Sequence, residues 1–87
     1  MTNKQVSAYL DEMLRDAKMY YTNTAVTLYL DNDTQIEVGY AIEYAIEYSS
    51  FYWSHGTYGR HSLNDVIKEV IEYLNRHNLH VTKAEEV

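Results

Sequence analysis

The sequence predicts an α+β domain in which an N-terminal helix, an antiparallel sheet of two or three strands (a hairpin or meander) and a C-terminal helix follow one another. Three patterns point there. Apolar residues recur with helical spacing near both ends of the 87 residues, side chains alternate in type from Ile36 to Tyr48, and polar clusters punctuate the joins. Each helix offers one apolar stripe and the sheet one apolar face, so both helices are expected on the same side of the sheet.

The first helix is expected over residues 3–20. Val6, Tyr9, Leu10, Met13, Leu14 and Ala17 form one stripe, and Thr2 with Gln5 three residues on makes a capping box. Asp11, Glu12, Arg15, Asp16 and Lys18 lie mostly on the opposite face, an ordinary solvated surface of mixed sign. After the loop-like Thr22, Asn23 and Thr24, the run AVTLYL at 25–30 sets Val26, Leu28 and Leu30 against Ala25, Thr27 and Tyr29, which is a half-buried strand. Asp31, Asn32 and Asp33 read as a turn.

The stretch GYAIEYAIEYSSFYW at 39–53 repeats a YAIE tetrad, and its period decides what it is. Even positions carry Ile36, Val38, Tyr40, Ile42, Tyr44, Ile46 and Tyr48; odd positions carry Glu37, Gly39, Ala41, Glu43, Ala45, Glu47 and Ser49. Wound as a helix, these residues would wedge glutamates between Ile and Tyr and leave no apolar stripe, so the tract is β-structure with its even side inward. At about 3.3 Å per residue a straight strand over 34–53 would outrun so small a domain. It must bend, break or reach into a partner. Gly39 is the first candidate for a bend and Ser49-Ser50 the next. A three-stranded meander is favoured, with a two-stranded ribbon carrying one long bent arm as the alternative. Matching apolar faces requires Leu28 opposite Ile36 and Val26 opposite Val38, hence a three-residue loop at 31–33.

Residues 51–61, FYWSHGTYGRH, hold two of the three glycines and the single tryptophan, and read as an irregular loop. Ser62 and Asp65 then open a second helix over 63–77, with the stripe Leu63, Val66, Ile67, Val70, Ile71 and Leu74. Glu72 and Arg76 are spaced to pair weakly. Asn78 is placed to end the helix in a left-handed conformation, with Leu79 folding back. Residues 80–87 are expected to fray.

Composition bounds the function. The length is that of one domain with a modest core, and 46% apolar against 23% charged residues belongs to a folded chain. With no cysteine there is no disulfide, thiolate metal site or cysteine nucleophile, and the cytosol is the expected compartment. Neither a leader nor a membrane span is legible. Thirteen acids against seven Lys and Arg give a formal charge of −6, and no basic side chain other than histidine occurs between Lys18 and Arg60. Such a chain repels a phosphate backbone and attracts a basic protein groove, which disfavours direct binding to DNA or RNA.

The candidate site residues follow from this asymmetry. Glu37, Glu43 and Glu47 should stand on the odd side of the sheet among the small residues Gly39, Ala41 and Ala45, with Tyr29 beside them and Asp31 and Asp33 at the turn. The plain account is a solvated sheet face; the sharper one is a docking surface for an Arg or Lys cluster, imitating a row of phosphates. Tyr40, Tyr44 and Tyr48 are expected in the core, and Tyr20, Tyr21, Tyr52 and Tyr58 suit an interface better. Trp53, His55, Tyr58 and Arg60 could form a recognition tip, or merely connect sheet to helix. The glycines of that loop do not fit a phosphate-binding loop. His77 and His80 lack a carboxylate or cysteine to complete a metal site, and no nucleophile constellation or cofactor motif can be assembled, so a non-enzymatic protein without metal or cofactor is expected.

A small, acidic chain without cysteine or proline, laid out as helix, sheet, helix, resembles phage-encoded inhibitors of host defence, above all anti-CRISPR proteins. The resemblance covers composition, length and element order and includes no motif. It implies an inhibitor in the host cytoplasm that mimics nucleic acid and blocks a basic site of a nuclease, such as the arginines that read a PAM. The rival class is a small assembly module, a homodimer joined through the long strand or Tyr-rich edges.

Overall fold

Thr2 opens the first helix as its side chain implies. In the computed structural model, which describes residues 1–43, 49–56 and 61–87, Thr2 Oγ1 accepts the Gln5 N–H (3.1 Å) and Gln5 Oε1 accepts the Thr2 N–H (2.8 Å). The helical stretch is not one rod. It divides into α1 (Asn3–Leu14) and a single turn, α2 (Ala17–Tyr20), although Arg15 and Asp16 keep near-helical angles. No glycine or proline marks this interruption. The left-handed Tyr21 (φ 50°) ends α2, with the Thr22 N–H closing on the Ala17 carbonyl at 3.0 Å.

The sheet has four antiparallel strands in the order β3-β2-β1-β4: β1 (Thr24–Leu30), β2 (Gln35–Ala41), β3 (Ser50–Trp53) and β4 (Val81–Glu86). The first hairpin has the expected register, with Val26 opposite Val38 and Leu28 opposite Ile36. Its turn at 31–33 closes with Leu30 N–H to Thr34 O (2.9 Å) and Asp33 N–H to Leu30 O (3.1 Å). Asp33 takes the left-handed position (φ 66°) that aspartate tolerates better than most residues.

The long β tract breaks, and the meander prevails over the ribbon. β2 ends at Ala41, Ile42 and Glu43 leave the strand, and β3 begins at Ser50; residues 44–48 lie outside the described residues. Because Tyr40 pairs with Phe51 and Val38 with Trp53, the face shared with even positions of β2 is filled by odd positions of β3. Even-inward alternation therefore holds for Ile36, Val38 and Tyr40 and reverses for Phe51 and Trp53, all of them buried. Since β2 is paired on both edges, it cannot be the strand that reaches into a partner.

The expected frayed tail is instead β4. Val81 is buried at 1% exposure, the Met1 ammonium donates to its carbonyl (2.8 Å), and Ala84 packs against the core. The expectation failed because four of the six β4 residues are polar: the strand covers one edge of β1 and is largely solvated, so its strand character lies in pairing rather than in its own pattern. β4 is positioned by α3 (Leu63–Arg76), which Ser62 caps through the Asp65 N–H at 3.1 Å. Asn78 is left-handed (φ 51°), and the Leu79 N–H returns to the Leu74 carbonyl at 2.9 Å, the expected ending.

α1 lies over the even side of β1 and β2, and α3 lies beside it on the same side of the sheet, over β3. Val6, Leu10 and Leu14 of α1, Val66, Val70 and Leu74 of α3, and Val26, Leu28, Ile36 and Val38 of the sheet form one core, each at 1% exposure or less. Fully burying one such aliphatic side chain contributes about 1.5–3 kcal/mol. Among the described residues no helix covers the opposite side of the sheet. Among the described residues, no helix is long and apolar enough to cross a membrane.

Candidate functional site

The open side of the sheet is built in cross-strand rows. Glu37 of β2 and Glu85 of β4 both lie opposite Thr27 of β1, one on either side. Two strand spacings separate their backbones by about 10 Å. Each carboxylate is held by a tyrosine. Tyr52 donates to Glu37 Oε2 at 2.8 Å, and Tyr29 donates to Glu85 Oε1 at 2.5 Å.

The Tyr52 pair depends on Gly39. These residues are opposite one another, and a Cβ added at Gly39 would fall 2.9 Å from Tyr52 Oη and 3.0 Å from its Cε1. The phenol ring thus lies across the glycine, which explains why Gly39 is buried on the otherwise open side. Burial first, and the hydrogen bond to Glu37 second, push the Tyr52 hydroxyl up to about 12. Ser54 anchors Glu37 from the main chain: its Oγ accepts the Glu37 N–H at 2.7 Å, and its own N–H reaches the Glu37 carbonyl at 3.0 Å.

At Glu85 the hydrogen bond from Tyr29 and then the ammonium of Lys83 (3.3 Å) hold the carboxyl below its usual range. The same bond raises the Tyr29 hydroxyl. Lys83 Nζ lies 5.4 Å from the centre of the Tyr29 ring. A lysine therefore stands on the side expected to be purely acidic, delivered by the strand that was expected to fray.

The other candidate acids are dispersed. Glu43 lies beyond β2, exposed, with its N–H on Ser49 Oγ (3.1 Å) and its carbonyl accepting from Tyr21 (3.2 Å). Glu47 falls outside the described residues. Asp33 belongs to the hairpin turn. Asp31 ties the hairpin to the start of β4: Oδ1 accepts the His80 N–H (3.3 Å) and Oδ2 lies 3.2 Å from His80 Nδ1. The first of these contacts is the main cause of a lowered Asp31 carboxyl, and His80 is accordingly turned toward the hairpin.

The aromatic loop splits between core and surface. Trp53 is 8% exposed and donates through Nε1 to Glu69 Oε1 at 2.9 Å, so it packs inward rather than standing as an anchor. His55 stacks on Tyr73 with ring centres 4.9 Å apart and 15° between planes, and Tyr73 meets His77 at 4.5 Å. Gly56 lets the chain cross the indole, where a Cβ would come within 2.7 Å of Trp53 Cδ1. Trp53, His55, Glu69, Glu72, Tyr73 and Arg76 line a half-open cleft of about 210 Å³. Tyr58 and Arg60 lie outside the described residues. Among the described residues no group of three His, Cys, Asp or Glu is arranged to hold a metal.

Sequence reasoning missed Lys83 and Glu85 on the sheet and Glu69 and Tyr73 in the cleft, and it named Tyr52 as an interface residue without its pairing to Glu37. The Tyr52 signal was available in principle as an aromatic opposite a strand glycine, but only after the β2–β3 register is known. No family model matches this chain, and no curated protein or solved structure matches it.

Proposed function

We propose that this protein is a non-enzymatic binding module that captures a basic surface of a partner protein on the open side of its sheet. The observation that carries the reading is the pair of tyrosine-held carboxylates, Glu37 and Glu85, about 10 Å apart on the side of the sheet that also carries Thr27, Ala25 and Ala41. A carboxylate already fixed by a hydroxyl has fewer rotamers to lose when an arginine arrives, which lowers the ordering cost of association. The second oxygen of Glu37 still accepts, whereas that of Glu85 already faces the Lys83 ammonium at 3.3 Å and has to be shared with it; a planar guanidinium can bridge the acid and stack on the neighbouring phenol. The formal charge of −6 steers a basic partner toward the chain and disfavours nucleic acid. The resemblance to anti-CRISPR inhibitors makes a nucleic-acid-reading surface of a defence nuclease, met in a host cytoplasm, the first partner to try.

The test uses an immobilised arginine-rich peptide and, separately, a guide-loaded CRISPR nuclease, each at low and physiological salt. Glu37→Gln with Glu85→Gln preserves shape and hydrogen bonding while removing both charges. Each surface charge pair contributes about 0.2–1 kcal/mol, so roughly two- to thirtyfold weaker capture and a flatter salt dependence are expected for the two together. Equal capture by the wild type and the double variant on both probes overturns the proposal.

A further inference from the structure

β4 ends the sheet, and the direction of its main chain shows what it offers. The Val87 N–H donates to the Ala25 carbonyl at 2.9 Å. Peptide groups alternate along a strand, so those of Lys83 and Glu85 also turn toward β1, opposite Tyr29 and Thr27, and those of Ala84 and Glu86 turn away from the sheet. Natural edges are commonly blocked by proline, a bulge or a lysine standing over the edge. β4 contains no proline, its register shift falls at Thr82, which stands between the pairs Tyr29–Lys83 and Leu30–Val81, and Lys83 leans back over the Tyr29 ring. The stretch from Lys83 to Glu86 is left open to another strand.

We propose that the partner of this edge is a second copy of the chain, paired antiparallel about a twofold axis at Ala84 to give one continuous eight-stranded sheet. The register is selected by hydrogen bonding and by charge. Outward peptide groups at residues 84 and 86 must face outward groups on the other copy, which restricts the pairing to registers in which even residues meet even residues. Centring the axis on residue 85 sets Glu85 against Glu85, and centring it on residue 83 sets Lys83 against Lys83; like charges directly opposite are destabilising. Centring it on Ala84 sets Lys83 of each copy against Glu85 of the other, twice, and places Glu86 beside Thr82, with no like-charge pair. Lys83 and Glu85 then occupy the closely spaced, non-hydrogen-bonded positions where side chains interact most strongly. The small Ala84 at the axis lets the helix-covered sides meet without a clash between large groups. This contact differs from the strand exchange through the long tract considered from the sequence, because β2 is fully paired. It does not depend on the acidic-surface reading.

A pairing of so few residues buries less than a standard interface, so association is expected to be weak and is best read by sedimentation equilibrium up to about 1 mM protein. Wild type is expected to dimerise. Lys83→Glu and Glu85→Lys each turn both cross-strand pairs from attractive to repulsive, and each alone should weaken the dimer roughly tenfold or more. One mixture and one double variant decide the register. Equimolar Lys83→Glu and Glu85→Lys chains should recover a heterodimer, since every 83–85 contact is again between opposite charges, and the double variant Lys83→Glu/Glu85→Lys should dimerise alone. Recovery in both cases also shows that the single variants are folded. A wild type that stays monomeric throughout the range overturns the proposal, as does a dimer indifferent to Lys83→Glu, which would belong to the Glu85-centred register or to another surface.

Discussion

Replacing Gly39 with alanine probes the structure where backbone, tyrosine and carboxylate meet. The added methyl carbon would lie 2.5 Å from the Thr24 carbonyl oxygen, 2.9 Å from Tyr52 Oη and 3.0 Å from Tyr52 Cε1. Two of these atoms belong to a ring that can rotate away; the third is backbone in the adjacent strand and can yield only if β1 and β2 separate locally. Overpacking of this kind costs about 1–3 kcal/mol. Displacing the ring also gives up the Tyr52–Glu37 hydrogen bond, worth on the order of 1 kcal/mol at a half-exposed site. The expected destabilisation is about 2–4 kcal/mol, or roughly 8–30 °C in Tm for a domain of this size. Urea unfolding followed by circular dichroism is the assay, with the m-value unchanged. Gly39→Ala combined with Tyr52→Ala separates the two contacts: the ring conflict disappears and the carbonyl conflict stays, so stability should not rise to that of Tyr52→Ala alone. An unfolding midpoint for Gly39→Ala equal to wild type would refute the close approach on which the Tyr52–Glu37 pair depends.

Two further predictions concern the C-terminal strand and the ionisation of Tyr52. Val81→Ala removes two methyl groups from a side chain 1% exposed and should lower stability by about 1.5–2.5 kcal/mol, whereas Val87→Ala, at 79% exposure, should change it by less than about 0.5; equal, negligible effects in urea titrations would restore the frayed tail. For Tyr52, a folded hydroxyl raised to about 12 above an ordinary value of 10.0 means that the native state keeps its proton longer than the unfolded chain. Its contribution to stability is complete below pH 10 and is lost as the pH rises toward 12, and Tyr52→Phe should flatten that fall. Phenolate absorbance should show a late-ionising component in wild type that is lost in Tyr52→Phe, and identical late titration in the two proteins would contradict the burial of this hydroxyl.

Much of the architecture was legible because it rests on local periodicity. The stripes of Val6, Leu10 and Leu14 and of Val66, Val70 and Leu74 specify two helices whichever sheet they meet, and Thr2, Ser62 and Asn78 punctuate them through their own hydrogen-bonding groups and backbone preferences. The first hairpin was equally readable, since a slip of one residue would have turned Leu28 and Ile36 to opposite sides. The continuous alternation of 36–48 misled for the same reason. Period two describes which side a residue prefers, not where the strand ends, and Ala41 ends β2 with no glycine or proline to announce it.

By itself the chain determined an α+β class, the inward side of β1 and β2, and a net acidity; these follow from side-chain chemistry read directly or repeated at short range. Only tertiary pairing decided that residues 81–86 form a strand, that Phe51 and Trp53 take over the inward side at odd positions, and that Glu37 and Glu85 converge on Thr27 with a tyrosine each. The physical reason is that an edge strand gains its hydrogen bonds from a neighbour dozens of residues away, so neither its existence nor the row of side chains it completes is encoded in its own few residues.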